Sequence, residues 1–348
     1  MDNLRRGRAS SSPLFSLVAS PSGSSPTGIS NVATRNGLMN LYAQFSAPGF
    51  LHGHSEWPAG MHALMGPSGS GKTTLLRSLA GLGSTLATIG LKDSIWQGPS
   101  HDFLPAYRRP LAYVPQRPSL IPFRTIGQQI RWIQPDSTVP LVTPPGLALS
   151  DFWDRLPHTL SGGQQQQIAL VRALATTQPV LLLDESLSQV DHIQRQRIMH
   201  WLFETRPASW ILFSTHQLSE ALTFSDTVTI IYEGKVFPTR TPEDCLIHPD
   251  TPETARLLGY CGSFALDNCH HLLIHPDHLL IGAFPDKGEV LEADVTSIPG
   301  PSPLERTWRA VYHNQVVQWR APHAARETTA QALTLFRAPI VSFTLNDH

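Results

Sequence analysis

The sequence predicts an α/β fold, in which a largely parallel sheet carries a phosphate-binding loop, followed by a small all-β domain. Three observations support this prediction. A glycine-rich loop joins a strand to a helix at residues 62–80, short apolar strands alternate with helices as far as residue 236, and short alternating strands separated by Pro and Gly occupy the last third of the chain. We expect the phosphate site at the carboxyl ends of the parallel strands.

Composition excludes several classes of protein. The 348 residues are enough for two domains, and the net charge of −1 provides no general basic field that would attract nucleic acid. The chain has only three cysteines, which indicates a reducing compartment rather than a disulfide framework. No apolar run approaches the roughly 18 residues of a membrane-spanning helix, so any membrane spans must come from another chain.

Residues 1–37 differ in composition from the rest of the chain. They are rich in Ser, Pro and Arg and contain a single acidic residue, Asp2. Such a segment cannot bury enough apolar surface to offset its conformational entropy, so we predict that it is disordered. An organelle transit peptide is one alternative. An over-extended reading frame with Met39 as the natural start is another, and it is the one we favour.

The globular pattern starts at Leu38. Leu41, Ala43 and Phe45 alternate with polar residues, as in a half-buried strand, and a second strand is predicted around residues 50–57. Phe45 or Tyr42 could stack on a nucleotide base, and a place in the core is at least as compatible with the pattern.

The glycine-rich loop follows the apolar run at residues 62–65 and precedes an apolar helix. Its glycines allow several backbone N–H groups to point at one anion, and the helix that begins near Lys72 adds the positive end of its dipole. Lys72 can reach the β- and γ-phosphates, and the Thr73 hydroxyl is suited to Mg²⁺. The predicted phosphate-binding residues are Gly66, Pro67, Ser68, Gly69, Ser70, Gly71, Lys72, Thr73 and Thr74.

Further polar residues follow predicted strands downstream. Gln116 ends a short strand that starts near Arg109, and Ser161 is a natural N-cap for a periodic helix. The apolar strand 180–183 ends in Asp184-Glu185, and the next strand, 210–213, ends just before His216. The helix between them is predicted from the spacing of Ile193, Arg197, Trp201 and Leu202.

Taken in order, these motifs resemble those of the ATP-binding cassette (ABC) ATPases over residues 39–236. The matching segments are the Walker A loop (Gly66–Thr73), the Q-loop glutamine (Gln116), the LSGGQ signature (Leu160–Gln164), the Walker B strand (Leu181–Asp184) with Glu185, the D-loop (Ser188–Asp191) and the switch histidine (His216). The resemblance implies a P-loop NTPase domain with a helical subdomain that hydrolyses ATP with Mg²⁺. Ser186, Gln165 and Gln167 depart from the usual Pro and Arg without removing a phosphate, metal or water contact.

The resemblance also implies roles for these residues. Asp184, with Thr73 and Gln116, would hold Mg²⁺, while Glu185, assisted by Gln116 and His216, would act on the attacking water. Ser161, Gly162, Gly163 and Gln164 open a helix and would bind the γ-phosphate held by a second cassette, and Asp191 belongs to the same interface. Because one chain has one loop and one signature, the resemblance implies a head-to-tail dimer of two copies.

The last part of the chain favours an importer. Residues 272–279 resemble the segment that opens a TOBE domain, with His275 and Asp277 in place of the usual Arg and Glu. We therefore expect three regions: a tail (1–37), an ABC ATPase domain (38–236), and a linker with an OB- or TOBE-like β domain (237–348). Such a protein would lie at the cytoplasmic face of the plasma (inner) membrane, with a separate permease and a substrate-binding protein. Similar importers move molybdate, sulfate, ferric iron, polyamines or sugars, and we favour inorganic ions.

Alternatives remain open at this point. The protein could be a soluble ABC ATPase that acts on nucleic acid or the ribosome, although the second cassette or coiled-coil insertion usual in that class is not evident. The β domain could make it mainly a ligand-sensing subunit. The histidines and cysteine between residues 269 and 278 could bind a metal, but Pro276 interrupts any helix there and the spacing is not that of zinc sites, so solvated or packed side chains are the simpler interpretation.

Overall fold

A computed structural model describes residues 40–46, 49–83, 85–136 and 140–260 with their side chains. It describes the backbone of eight strands between residues 261 and 344. The predicted tail, residues 1–37, lies outside the described residues.

One ten-stranded sheet organises the described residues from 41 to 236. Its strand order is β5-β4-β1-β2-β10-β9-β3-β8-β7-β6. The strands are β1 (Leu41–Phe45), β2 (His52–Trp57), β3 (Gly60–Met65), β4 (Ala87–Leu91), β5 (Ser94–Gln97), β6 (Leu111–Val114), β7 (Val180–Asp184), β8 (Trp210–Thr215), β9 (Thr227–Tyr232) and β10 (Lys235–Val236). Strands β6, β7, β8, β3 and β9 are parallel, whereas β1, β2, β4 and β5 form an antiparallel part. The parallel part confirms the α/β prediction.

Seven α-helices accompany these strands in the described part of the chain. They are α1 (Lys72–Leu79), α2 (Ile126–Ile133), α3 (Gly162–Leu174), α4 (His192–Thr205), α5 (Leu218–Thr223), α6 (Pro242–Ile247) and α7 (Pro252–Leu257). Thr125 and Ser161 cap α2 and α3 with complete capping boxes, in which the third helical residue, a Gln, bonds back to the cap. Among these residues, no helix is long and apolar enough to cross a membrane.

The parallel strands are buried on both faces, which explains why they are continuously apolar. In β7, Val180 and Leu182 belong to the cluster that contains the apolar face of α1, whereas Leu181 and Leu183 belong to the cluster around α3 and α4. All five residues of β7 are buried. Because β7 is packed on both faces, the position of its carboxyl end, where Asp184 and Glu185 lie, is fixed relative to the sheet.

The end of α1 is held by a buried arginine. Arg109 donates to the carbonyl oxygens of Ser78 and Leu79, each at 2.8 Å, and to the carbonyl of Leu104. Because burial withdraws the guanidinium from water, the pKa of Arg109 falls to about 10. The contact ties the phosphate-loop helix to the segment that leads into β6, since helix carbonyls at this end otherwise lack partners.

Two details differ from the sequence expectations. Strands β4 and β5 were not predicted, because Ala87–Leu91 is short and contains a glycine. In α4 the predicted helix is present, but its buried residues are Ile198, Met199 and Leu202, and Ile193 is exposed.

Beyond residue 260 the strands form two antiparallel sheets. The strands are β11 (Cys261–Ala265), β12 (His270–Ile274), β13 (Leu279–Ile281), β14 (Gly288–Pro299), β15 (Glu305–Tyr312), β16 (Gln315–Pro322), β17 (Thr329–Phe336) and β18 (Val341–Thr344). The sheets have the orders β11-β12-β18 and β13-β17-β14-β15-β16. This agrees with the all-β expectation for the last part of the chain. The side chains of the histidine and cysteine cluster at 269–278 lie outside the described residues.

Candidate active site

The predicted phosphate loop connects β3 to α1 at the carboxyl edge of the sheet. Two of its glycines are required by the geometry. Gly71 is the N-cap of α1 with a φ of 116°, a left-handed conformation that favours glycine, and a Cβ on Gly66 would overlap the carbonyl oxygen of Ile231 in β9. Close contact with β9 therefore holds the loop against the sheet, directly before the start of α1.

Lys72, the first residue of α1, points back over the loop. Its Nζ donates to the carbonyl oxygens of Gly66 at 2.8 Å and Pro67 at 2.9 Å. Burial lowers the pKa of Lys72, while the carboxylates of Glu185 and Asp184 oppose that shift. The ammonium group is thus positioned by backbone oxygens, and among the residues with described side chains no carboxylate forms an ion pair with it.

Asp184, the last residue of β7, accepts three hydroxyl hydrogen bonds. Thr73 donates to Oδ1 at 2.9 Å, Ser214 donates to Oδ1 at 3.0 Å, and Tyr113 donates to Oδ2 at 3.0 Å. Burial and the neighbouring Asp184 raise the pKa of Tyr113, so its hydroxyl stays a donor. Within the described residues, no Lys or Arg nitrogen lies within 4 Å of this carboxylate.

Glu185 lies one residue further on, in a left-handed backbone conformation with a φ of 43°. Its N–H donates to Ser214 Oγ at 2.9 Å, which supports this unfavourable conformation. The Glu185 carboxylate accepts from Gln116 Nε2 at 3.1 Å and lies 4.0 Å from His216 Nδ1. Three predicted residues from three separate segments therefore meet at one carboxylate.

The structure corrects the predicted base-stacking residue. Phe45 is only 4% exposed and packs in the core with Leu41 and Ala43, so its ring is not available to a nucleotide base. Phe50, in the loop between β1 and β2, is 58% exposed, and its Cε1 would lie 3.1 Å from a Cβ on Gly71. Sequence reasoning missed Phe50 because it placed this residue within the second predicted strand, whereas the strand begins at His52.

The signature segment is built separately from the phosphate loop. Ser161 Oγ accepts from Gln164 N at 3.3 Å, and Gln164 Oε1 accepts from Ser161 N at 3.0 Å. Gly162 and Gly163 lie against Gln189, where a Cβ on either would collide. In the part of the chain with described side chains, no hydrogen bond joins the signature to residues 66–74. Its N–H groups at the start of α3 form a second anion-binding feature of the same chain.

Asp191 has a local structural contact. Its Oδ1 accepts from Gln194 N at 2.9 Å, so it caps α4. This capping accounts for the residue type at this position without a nucleotide.

Gln166, which the sequence did not single out, joins three functional segments. It is 1% exposed on the buried side of α3. Its Nε2 donates to the carbonyl oxygen of Gln116 at 3.3 Å and to Ser188 Oγ at 3.2 Å, and its Oε1 accepts from Gln189 N at 2.8 Å. The signature helix therefore carries a direct connection between the Gln116 loop and the loop before α4.

The donor set at Thr73 and Asp184 fits Mg²⁺. A hydroxyl and a carboxylate provide the hard oxygen ligands that this ion prefers. Gln116, whose Nε2 donates to the neighbouring Glu185, carries an amide oxygen that is a third candidate. No cation already neutralises Asp184 in the described residues. Groups of three or more His, Cys, Asp or Glu side chains able to hold a metal are absent from the described residues.

Comparison with known proteins agrees with this arrangement. Residues 57–188 match the family model described as ABC transporter. The fold is that of an ABC ATPase. Among solved structures, a bacterial Atm1-family ABC exporter with ATP bound matches with a TM-score of 0.52 and 25% identity, covering 65% of this chain and 42% of that one. The matched residues 57–188 include the phosphate loop, Gln116, the signature and Asp184-Glu185.

Curated relatives match the same domain. The chain is 34% identical over 212 residues to the Fe(3+) ions import ATP-binding protein FbpC of Haemophilus influenzae (strain 86-028NP), covering 56% of this chain and 59% of that protein. It is 36% identical over 208 residues to the protein of the same name from Pseudomonas fluorescens (strain Pf0-1), covering 56% and 58%. The chain spans less than two thirds of the length of these relatives.

Proposed function

We propose that this protein is the ATP-hydrolysing subunit of an ABC uptake transporter. The observation that carries the proposal is the convergence of Gln116 and His216 on Glu185, one residue beyond the hydroxyl-held Asp184. A carboxylate of this kind beside a phosphate loop fits the polarisation of a water molecule that attacks a γ-phosphate.

Each part of the site has a function in this proposal. The loop N–H groups and Lys72 bind the phosphates, and Phe50 stacks on the base. Thr73, Asp184 and Gln116 are suited to hold Mg²⁺, which neutralises charge on the β- and γ-phosphates when bound. Glu185 orients the attacking water and accepts its proton, while His216 and Gln116 position Glu185 and the water.

The signature implies that two copies form the complete sites. Ser161–Gly163 present N–H groups at the start of α3 and have no hydrogen bond to the phosphate loop of their own chain within the described residues. In a head-to-tail dimer these groups, with Gln164 and Asp191 nearby, would contact the γ-phosphate bound by the other copy. ATP then favours the closed dimer because it contacts both copies, and hydrolysis removes that preference.

An exposed aromatic surface provides a contact for a membrane permease. Phe123 is 77% exposed and Trp132, in α2, is 70% exposed, and both lie between Gln116 and the signature. Exposed large apolar side chains indicate an interaction site. Because Phe123 and Trp132 lie on the stretch of chain that joins Gln116 to the signature, permease motion and site geometry would be coupled. The protein would then lie at the cytoplasmic face of the inner membrane and receive solute through a substrate-binding protein.

The relatives favour Fe(3+) as the transported substrate, since both carry the name Fe(3+) ions import ATP-binding protein. The two antiparallel sheets after residue 260 support a TOBE-like domain, with boundaries near 38–236 for the ATPase domain and 237–348 for the linker and β domain.

Glu185→Gln tests the proposed chemistry. The variant keeps the size and hydrogen bonding of Glu185 but cannot accept a proton, so we expect ATP hydrolysis to fall by about 10²- to 10⁴-fold, with nucleotide affinity retained and a dimer stabilised by ATP. Phosphate release, binding of a fluorescent ATP analogue and gel filtration measure the three properties. Hydrolysis at the wild-type rate would show that Glu185 is not the base.

Co-purification in detergent tests the transporter assignment. We expect a membrane permease to be retained. We also expect the reading frames next to the gene of this protein to encode a permease and a substrate-binding protein. Recovery of ribosomes or nucleic acid instead would favour the soluble ABC alternative.

A further inference from the structure

Both carboxylate oxygens of Asp184, the Walker B aspartate, accept hydrogen bonds. A donor from a family motif, Thr73 of the phosphate loop, contacts Oδ1 but not Oδ2. Thr73 of the phosphate loop and Ser214 of β8 both donate to Oδ1 of Asp184. Oδ2 accepts from the Tyr113 hydroxyl at 3.0 Å. A carboxylate that is fixed through a single oxygen can rotate about its Cβ–Cγ bond, whereas donors on both oxygens define its plane.

The backbone fixes the position of Tyr113. It lies in β6, which pairs in parallel with β7, and its register partner is Leu182, two residues before Asp184. Side chains two residues apart in adjacent strands share a face of the sheet. The Tyr113 ring is partly buried and packs against the core cluster that contains α1, so the hydroxyl is presented from a rigid strand.

Tyr113 also precedes Gln116 by only three residues in the chain. The strand that holds Oδ2 of Asp184 therefore continues directly into the segment whose Gln116 side chain contacts Glu185. Metal-binding carboxylates depend on such supporting hydrogen bonds for their orientation, and loss of one typically weakens metal binding by about 10- to 100-fold.

We propose that Tyr113 is a positioning residue that orients the Asp184 carboxylate for its metal ion through a hydrogen bond to Oδ2. This inference rests on the proposed function, because it takes Asp184 as a Mg²⁺ ligand. Tyr113 itself contacts neither the metal nor the nucleotide. The Tyr113 hydroxyl affects metal affinity by fixing the orientation of the Asp184 carboxylate.

The experiment is a metal titration of Tyr113→Phe, which removes the hydroxyl and keeps the ring. Mn²⁺ serves as the probe for the Mg²⁺ site, and its binding to the complex of the full chain with a non-hydrolysable ATP analogue is followed by electron paramagnetic resonance. We expect the Mn²⁺ affinity to fall by about tenfold. We expect the affinity for the analogue in the presence of EDTA to stay within twofold of wild type, since a general disturbance of the phosphate loop would lower it.

Two further variants make the result specific. Tyr107→Phe removes a hydroxyl from a side chain that is 81% exposed and outside the site, and it should leave Mn²⁺ affinity unchanged. Tyr113→Met removes hydroxyl and ring together, and it should reproduce the loss seen with Tyr113→Phe. If Tyr113→Phe does not fold, as judged by circular dichroism, Tyr113→Met provides the same test.

The outcomes separate this inference from the proposed function. Equal Mn²⁺ affinity in wild type and both Tyr113 variants would overturn the role of Tyr113 while leaving the ATPase assignment intact. A parallel loss of nucleotide affinity in EDTA would also overturn it, because it would indicate a structural defect of the loop. If the wild-type chain binds neither analogue nor Mn²⁺, the proposed function itself is wrong.

Discussion

Charged residues lie at both edges of the parallel sheet, but the groups that contact them differ between the two edges. At the carboxyl edge, Lys72 rests on carbonyl oxygens and Asp184 is held by hydroxyl groups. At the amino edge, Arg206 forms a two-pronged ion pair with Asp226, at 2.7 and 2.9 Å, and Asp226 also accepts from the Met61 N–H. Arg206 and Asp226 at the amino edge neutralise each other, whereas Lys72 and Asp184 at the carboxyl edge are oriented by neutral groups.

This difference indicates what each edge does. Internal pairing of opposite charges contributes to stability and leaves little charge for a ligand. Neutral donors and acceptors orient a charge without cancelling it, so the charge remains able to bind phosphate or a metal ion. Substitutions at the carboxyl edge should therefore change binding and catalysis, and those at the amino edge should change stability alone.

Lys72→Met should have the largest effect. Loss of charged hydrogen bonds to two phosphates should weaken ATP binding by about 100- to 1,000-fold. The melting temperature should not fall, because the buried ammonium has a lowered pKa and Met fills the same space. Isothermal titration with ATP and a thermal melt measure the two quantities.

The matched control for Lys72→Met is Lys235→Met, which removes an exposed lysine in β10. It should leave ATP affinity unchanged. If Lys72→Met destabilised the protein strongly while retaining ATP binding, the proposed distinction between the two edges would fail.

The pH dependence of stability should come next in size, and it should depend on His62 at the amino edge. His62 is fully buried between Thr227 Oγ1 at 2.8 Å and the Pro58 carbonyl at 2.7 Å. Burial lowers its pKa from 6.5 to about 4. The unfolded chain therefore takes up a proton first as the pH falls, and stability is complete above pH 6.5 and decreases between pH 6.5 and 4.

The shift in the pKa of His62 corresponds to about 3 kcal/mol of unfolding free energy. About 2 kcal/mol of this stability is lost when the pH falls from 7.5 to 5. Urea unfolding at both pH values measures the loss, and His62→Gln should reduce it because glutamine does not titrate. ATP affinity at neutral pH should be the same in both proteins. An unchanged pH dependence in His62→Gln would assign the loss to other groups.

Arg206→Gln should have the smallest effect. The ion pair with Asp226 is partly exposed, so its loss should cost about 1 kcal/mol of unfolding free energy, less in 1 M salt because exposed charges are screened. Urea unfolding at two salt concentrations checks this, and ATP hydrolysis should be unchanged. Asp226→Asn and the double variant complete a cycle that isolates the pair. A reduction in hydrolysis would mean that the amino edge also acts on the site.

Part of the candidate site could be predicted from patterns of neighbouring residues in the sequence. The glycine loop with Lys72 and Thr73, the Ser161 cap and the strand ending in Asp184-Glu185 are contiguous patterns whose local geometry is dictated by glycine, capping and strand burial. The contacts made by Gln116 and His216 with Glu185 agree with their predicted grouping, which came from the resemblance to ABC ATPases and not from the local sequence around either residue.

Other features depended on pairing between distant segments. The alternation in β1 agreed with a core place for Phe45 but did not exclude a contact with a nucleotide base, so Phe45 was predicted to bind the nucleotide. Phe50, in the loop that follows β1, was overlooked. Tyr113 and Asp184 are 71 residues apart, and Gln166 lies 50 residues from Gln116. Nothing in either local sequence marks these partners.

The sequence by itself determined the phosphate loop, the acidic strand end and the signature helix, because each depends on neighbouring residues whose backbone preferences act locally. Only the tertiary structure decided which groups orient Asp184, which glutamine joins the signature helix to the Gln116 loop, and which aromatic ring faces the phosphate loop. Those features depend on strand register and packing across the sheet, and a single hydrogen bond between distant segments leaves no repeating pattern along the chain.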